Sequence, residues 1–545
     1  MKTFYLLVKF CALFATGSLA AEAAEKAKPN IVLFVADDLN RYDVGCYGAV
    51  NTRTPNIDSL ARAGMKMNNA YCAFAQCAPC RAELYSGRFP ANNGLIGNGI
   101  PSRSDIQCVV QYLRAVGYRT GLVGKHHCGP SEVYDFDNLN KKTAVAPPTD
   151  LSKSEVRKNK QQNKAKSASD EANSFDKNDG KDIEDYFDSI REYMARKGEQ
   201  PFFLAACSHQ PHVPWTKGNA AAFDQAKLVV PRNFFDCPET REELTHYYAE
   251  VEYLDWQVGE VMKIVDELGL KEKTLFMFVT EQGASLPGGK FTCYEAGVHA
   301  GMVVRWPGVI APGAQSDAMV HYADVTPTFV QAAGGKIEDK IDGWSFLDVL
   351  EGKAQKHRDY AYGFSTSALP RATQGGFPIR SVTDGRDKLI INYQPEKVFK
   401  SPGMVGAYKD WKRMAATNDK ARFFVEHFEK HPTVELYDCN DDPWELTNMA
   451  GNPEKKVTLI RLTKELQSCL EAQKDDPVKT EVLALGGRNA KRAKSGKEEM
   501  QGSAGVPSQS NQPEAPKGES RREMRQQRKA APSTPSSEPA PKPRP

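Results

Sequence analysis

From Pro29 to about Leu350 the chain alternates short, continuous apolar runs with longer stretches whose apolar residues recur at helical spacing. "NIVLFVA" (Asn30 to Ala36) has no polar residue after its first. Such a run suits a strand covered on both faces of a parallel sheet. It stops at Asp37-Asp38. "TPNIDSLARAG" then predicts a helix with Thr54 as N-cap, Pro55 at its first position, Asp58 in its first turn and Gly64 as its stop. "VVQYLRAV", closed by Gly117, predicts the next helix, and "YRTGLV" a short strand running into Gly124-Lys125-His126-His127. "PFFLAAC" (Pro201 to Cys207) reads as a buried strand leading to Ser208-His209-Gln210-Pro211-His212. A long helical pattern from Glu242 to Gly269 precedes "TLFMFVT", a further buried strand that ends at Glu281-Gln282-Gly283.

Strands alternating with helices predict an α/β fold. Four of the strands end in ionisable clusters, and in open α/β sheets sites form beyond the carboxyl ends of strands. From about Ala361 the texture changes to short strand-like runs, "KLIINY" and "VELYDCNDDPWELTNMA", which predict a smaller C-terminal α+β domain.

Composition changes the picture mainly at the ends. The first 24 residues carry Lys2 and Lys9, an apolar run, and small residues at Ala20, Ala21 and Ala24. This is the pattern of a signal peptide, and the run is short for a bilayer span. The mature chain is expected to be exported, periplasmic or secreted, with no integral membrane segment. Leu151 to Asp182 is rich in Lys with little to bury and reads as a basic surface insertion. Residues 486–545 are rich in Gly, Ser, Pro, Lys and Arg and read as a disordered tail. These two segments supply much of the net charge of +3, so the core gives no support to a nucleic-acid function. The expected organisation is a signal peptide (1–24), a catalytic domain (25–360), a C-terminal α+β subdomain (361–480) and the tail. Twelve cysteines suggest no pairing scheme, and the chain has no Asn-x-Ser/Thr site.

The stretch "AQCAPCRAELYSGRFP" carries the chemistry. Cys77-Ala78-Pro79-Cys80 alone could be a redox pair. However, Arg81 and Ser86-Gly87-Arg88 follow it, an electropositive setting suited to an anion. Cys77-x-Pro79-x-Arg81 followed by Ser86-Gly87-Arg88 resembles the signature of type I sulfatases, within the alkaline-phosphatase-like superfamily. Further landmarks occur in family order: Asp37-Asp38, "GYRTGLVGKHH", Pro211-His212, the "EQG…GK" segment and "ELYD…DPWELTNMA". Within the family, "GKHHCGPSEVYDFD", Pro378-Ile379-Arg380-Ser381-Val382 and the spacing from Glu281 to Lys290 are similar to N-sulfoglucosamine sulfohydrolases.

The resemblance implies a large mixed, mostly parallel sheet sandwiched by helices. It also implies hydrolysis of sulfate esters or sulfamates of sulfated carbohydrates. Cys77 would be oxidised to formylglycine by a separate maturation enzyme, and its hydrate would attack sulfur. Asp37, Asp38, Glu281 and Gln282, with the Cys77 position, would hold one calcium ion. Arg81 would be a fixed positive group beside the nucleophile, Lys125 and Lys290 would bind sulfate oxygens, His127 would hydrogen-bond the hydrate or help it collapse, and His212 would protonate the leaving group. The chain departs from the family pattern in two places. Glu281-Gln282 stands where Asp-Asn is usual, one methylene longer at each position, and His126 replaces a frequent aromatic residue. Three other functions compete: a thiol-disulfide oxidoreductase using Cys77 and Cys80, a phosphoryl hydrolase of the same superfamily, and a non-catalytic binder of sulfated glycans.

Overall fold

The computed structural model describes residues 28–140, 182–198, 200–366 and 376–486. The expected signal peptide, the tail beyond 486 and all of the basic insertion except Asp182 lie outside them. Asp182 itself corrects that boundary. It is buried, caps the turn that follows it, and accepts a hydrogen bond from the His209 backbone N–H at 2.9 Å.

Eight strands form the main sheet: β1 (Asn30–Ala36), β2 (Met65–Tyr71), β3 (Arg119–Gly124), β4 (Asp137–Asn138), β5 (Phe202–Cys207), β6 (Thr274–Thr280), β7 (His299–Arg305) and β8 (Ala314–His321). Their order is β4-β3-β5-β1-β6-β7-β2-β8. β7 runs antiparallel to both its neighbours, and every other pair is parallel. The sheet is therefore mixed and mostly parallel.

β1 lies near the centre of the sheet, and its alternate residues feed two cores. Ile31, Leu33 and Val35 pack with Tyr85, Val110 and Phe329 on one face. Val32, Phe34 and Ala36 pack with Ile57, Ile190 and Leu254 on the other. This two-sided burial accounts for the unbroken apolar run. At about 1.5–3 kcal/mol for each fully buried large aliphatic or Phe side chain, β1 is among the best anchored segments. The chain leaving it is correspondingly rigid.

Four further strands, β9 (Ala361–Ser365), β10 (Ile379–Thr383), β11 (Asp387–Asn392) and β12 (Val434–Asp438), form an antiparallel sheet in the order β12-β11-β10-β9. Helix Lys456–Gln473 covers this sheet, with Leu462 and Leu466 packed on Val382, Leu389 and Leu436. The long helix predicted from Glu242 spans Pro238–Glu267, started earlier by Pro238 at its first position.

One local expectation is corrected. Thr54 stands at the N-cap of helix Pro55–Arg62, but its hydroxyl does not cap the helix. It accepts from the Gly45 N–H at 2.8 Å and donates to Asp58 at 3.2 Å. Gly64 stands where the helix stops, directly after the cap residue Ala63, and is also required by space, since a Cβ there would stand 2.1 Å from the Val304 carbonyl oxygen.

Gly124 joins the fold to the site. Its φ is +81°, and a Cβ would stand 1.9 Å from the Cys207 carbonyl oxygen. That same carbonyl accepts the Lys125 N–H at 2.9 Å. Gly117 also has a positive φ, +91°, but has open space around it. Gly117→Ala should therefore cost about 1–2 kcal/mol, the backbone term alone. Gly124→Ala should cost at least about 2 kcal/mol more, because overpacking adds to that term. Urea unfolding of the two variants checks the difference.

Candidate active site

The carboxyl ends of β1, β3, β5 and β6 bring the predicted residues together. Backbone pairing continues past the strands: Ser208 N–H donates to Val35 O at 3.0 Å, Asp37 N–H to Gln210 O at 2.8 Å, and Glu281 N–H to Ala36 O at 2.9 Å. The segments bearing Asp37-Asp38, His212, Glu281-Gln282 and Lys125 are thus registered by main-chain hydrogen bonds. Asp38 has φ +63°, the left-handed region that aspartate tolerates better than most residues.

Cys77 opens the fully buried helix Cys77–Ser86. Its first N–H groups find partners from a distant loop. Ala78 N–H donates to Asn98 Oδ1 at 3.1 Å, while Asn98 N–H donates to Gln76 Oε1 at 3.2 Å. Gln76 and Asn98 had no signal in the sequence, because the contacts join residues 20 and 22 positions apart. At the other end Gly87, in the left-handed conformation, closes the helix.

Three buried ion pairs surround Cys77. Lys125 Nζ pairs with Asp37, Lys290 Nζ lies 2.6 Å from Asp38 Oδ1, and Arg81 Nε pairs with Glu281. Arg81 also donates from Nη1 to the Lys125 carbonyl at 2.9 Å. Cys77 Sγ stands 3.5 Å from Asp37 Oδ1 and 4.0 Å from Asp38 Oδ1. Each carboxylate thus has its own cation, and the formal charges of the cradle cancel.

The titration shifts follow from this arrangement. Burial alone would raise the Asp37 carboxyl, but the Lys125 ammonium holds it well below the usual carboxylate range. Burial pushes Glu281 well above that range, with Arg81 opposing and the Asp37 charge reinforcing. Burial also works against the lysine ammoniums, yet Asp37 keeps Lys125 protonated and Asp38 keeps Lys290 protonated. Burial, reinforced by the Asp37 charge, raises the Cys77 thiol.

The geometry around the carboxylates suits a hard divalent cation. One ligand atom from each of Asp37, Asp38, Cys77 and Glu281 lies within 4.8 Å of the others. Gln282 adds a second observation. Its Nε2 donates to Asp38 Oδ1, leaving its amide oxygen buried without a hydrogen-bond partner. A cation would satisfy that oxygen, and an oxygen-rich donor set favours calcium or magnesium over softer metals.

His212 sits at the rim, half-buried, with Nε2 3.6 Å from Asp38 Oδ2. Its Nδ1 lies 2.6 Å from the Val213 carbonyl, which can only accept, so Nδ1 carries a proton and Nε2 faces the cradle. Burial lowers its basicity, partly opposed by Asp38. His127, two residues beyond Lys125, is half-buried with a left-handed backbone, φ +55°. His126 is buried edge-on to Tyr134 and Phe136. His209 is tied to Asp182 at 3.2 Å.

The redox reading fails on geometry. The Cys77–Ser86 helix does start at the first cysteine, as a redox pair would require, but both thiols are fully buried and both are raised by burial. Cys80 Sγ donates to the Glu281 carbonyl at 3.0 Å, and both cysteines are free. A thiol held as thiol is a poor exchanger.

Fold and cradle together are those of the alkaline-phosphatase-like class of α/β proteins. The sulfatase family model matches residues 29–335, and that of the N-sulphoglucosamine sulphohydrolase C-terminal region matches residues 289–401. The chain belongs to the sulfatase family. It is 32% identical over 467 residues to an ulvan-active sulfatase of Formosa agariphila, covering 84% of this chain and 83% of that protein. It is 25% identical over 498 residues to the human N-sulphoglucosamine sulphohydrolase, covering 81% and 90% respectively. A solved structure bound to its substrate D-glucosamine-2-N,6-O-disulfate superposes with a TM-score of 0.59 at 19% identity, covering 83% of this chain and 99% of that one.

The raised, buried thiol gives a direct prediction. In the unmodified, folded chain, iodoacetamide at pH 8 should alkylate Cys77 at least tenfold more slowly than in urea-unfolded chain, as followed by peptide mass. Rapid labelling of Cys77 in the folded protein would contradict the burial argument.

Proposed function

We propose that this chain releases sulfate from a sulfated carbohydrate, using Cys77 converted to formylglycine as its nucleophile and calcium as its cation. The observation that carries this reading is the position of Cys77: at the head of a buried helix, against Asp37 and Asp38, between Lys125 and Lys290. A sulfate monoester is a tetrahedral anion, and its displacement needs a nucleophile, neutralised oxygens and a proton for the departing oxygen.

The residues divide this work. Asp37, Asp38, Glu281 and Gln282 would hold the cation, which when bound supplies the positive charge that polarises sulfate. Lys125 and Lys290, kept protonated by their carboxylates, would turn towards the sulfate oxygens. Arg81 keeps Glu281 oriented and adds fixed charge beside the nucleophile. His212, with Nδ1 committed to Val213, would deliver a proton from Nε2 to the leaving group. His127 would hydrogen-bond the attacking hydroxyl. The extra methylene of Glu281 supports its pairing with Arg81, which sits on the neighbouring helix. A phosphoryl hydrolase of the same fold usually presents Ser or Thr, and Cys77 favours sulfate.

The relatives' substrates, ulvan and an N-sulfated glucosamine, support a sulfated polysaccharide or glycosaminoglycan fragment as the substrate class. No helix among the described residues is long and apolar enough to cross a membrane. With its N-terminal pattern, the chain is proposed to be exported, periplasmic or secreted, and to meet its maturation enzyme on the way.

Produced with a formylglycine-generating system, the chain should release sulfate from ulvan or heparin oligosaccharides, as measured by ion chromatography. Cys77→Ala should lower the rate at least about 10³-fold. Wild-type protein that carries formylglycine, binds these oligosaccharides and yet releases no sulfate would favour the non-catalytic binder. For the cation ligand, Glu281→Gln and Glu281→Asp should each weaken calcium binding at least tenfold by calorimetry, the first by loss of charge and the second by loss of reach. Unchanged affinity in both would remove Glu281 from the ligand set.

A further inference from the structure

Among the described residues only five non-glycine residues have positive φ, and three of them lie at the site: Asp38, His127 and Phe291. Phe291, at φ +72°, is the outlier in kind. Asp and His tolerate the left-handed region, but a bulky aromatic residue does not adopt it unless its surroundings force it. Phe291 immediately follows Lys290, whose ammonium lies 5.7 Å from the Phe291 ring.

Two of the contacts that hold it there are hydrogen bonds to the Phe291 main chain. Its N–H donates to the Ala75 carbonyl at 2.7 Å, two residues before Cys77. Its carbonyl accepts from Ser365 Oγ at 2.9 Å. Ser365 is the last residue of β9, the edge strand of the small sheet, and is buried. It is itself held, because its carbonyl accepts from Arg380 Nη1 at 3.1 Å. Arg380 in turn is fixed by two hydrogen bonds to Asp475, at 2.6 and 3.1 Å. A second main-chain link, Phe364 N–H to the Ala73 carbonyl at 2.6 Å, ties β9 to the segment that enters the nucleophile helix.

Upstream of Lys290 the chain is a glycine turn, Gly288-Gly289, with Gly288 at φ +76°. Glycine gives that side little stiffness of its own. The Lys290 N–H is anchored to the Ala284 carbonyl at 2.9 Å, and beyond the lysine Thr292 closes the turn, its N–H donating to the Gly289 carbonyl at 3.2 Å and its Oγ1 to the Gly288 and Gly289 carbonyls at 2.9 and 2.7 Å. Phe291 lies inside that turn and is held from outside it by Ala75 and Ser365.

We propose that Ser365 is a positioning residue for Lys290, acting through the left-handed backbone of Phe291. The inference rests on the reading of Lys290 as a sulfate-binding group. It assigns the small sheet a part in the reaction: β9 closes one side of the cradle and sets the height at which the Lys290 ammonium meets the anion. Replacing the hydroxyl would remove the bond from β9 and loosen Phe291 within its turn, and Lys290 would lose its aim while the fold persisted.

The test is a double-mutant cycle on the full chain with calcium present, reading inorganic sulfate affinity by calorimetry, turnover of a sulfated oligosaccharide and the thermal midpoint. Ser365→Ala should weaken sulfate binding and lower kcat, each about tenfold, with KM changed less than threefold. Ser365→Thr, which keeps the hydroxyl, should stay within about threefold of wild type. In a Lys290→Ala background, Ser365→Ala should change sulfate affinity less than twofold. Wild-type behaviour of Ser365→Ala, or an equal loss in both backgrounds with a matching fall in thermal midpoint, would overturn the proposal and leave Ser365 merely structural. Sulfate binding that follows the cycle in a wild-type chain with no turnover of any sulfate ester would uphold the positioning and overturn the proposed reaction.

Discussion

The constraint on which the site depends is the burial of three carboxylates and three cations in one volume. Asp37, Asp38 and Glu281 are each almost inaccessible to water, as are Arg81, Lys125 and Lys290. Removing such groups from water costs several kcal/mol per ion, and apolar replacements often do no worse for stability. A fold has little reason to keep three such pairs for stability alone. Under the proposed function their value is a charge-balanced cradle that a divalent cation would make positive, the condition for holding a sulfate anion out of water.

The rest of the molecule keeps those charges from relaxing. β1 is buried on both faces, so Asp37 and Asp38 leave a strand that cannot shift without opening two cores. β5 and β6 flank it in parallel register, and their continuing main-chain hydrogen bonds set where His212 and Glu281 emerge. The small sheet supports the opposite wall, because β9 contacts both the approach to Cys77 and the exit from Lys290. Charge balance at the centre and main-chain registration around it are thus parts of one design, and neither would suffice alone.

Much of this was legible in the sequence because it depends on local pattern. The strands β1, β5 and β6 were visible as unbroken apolar runs, and the ionisable residues that follow them marked where a site would form. The antiparallel insertion of β7 was not visible, since strand direction follows from crossovers rather than composition. Asp182 was counted with a lysine-rich insertion, whereas its role depends on His209 and Gln257, which are distant in the chain. Thr54 looked like a helix cap, and the Gly45 N–H and Asp58 take its hydroxyl instead. The Asn98 and Gln76 brace of the Cys77–Ser86 helix and the left-handed Phe291 are tertiary features that no spacing rule encodes. The groups that carry charge are legible in local sequence, and the neutral groups packed around them are not.

The central claim is that the cradle binds sulfate only when a cation unbalances it. The most direct measurement is the affinity of the full chain for inorganic sulfate, by calorimetry at constant ionic strength, with saturating calcium and after chelation. The account predicts at least tenfold tighter sulfate binding with calcium and, by reciprocity, an equal gain in calcium affinity when sulfate is bound. Sulfate affinity that is the same with and without the cation would contradict it.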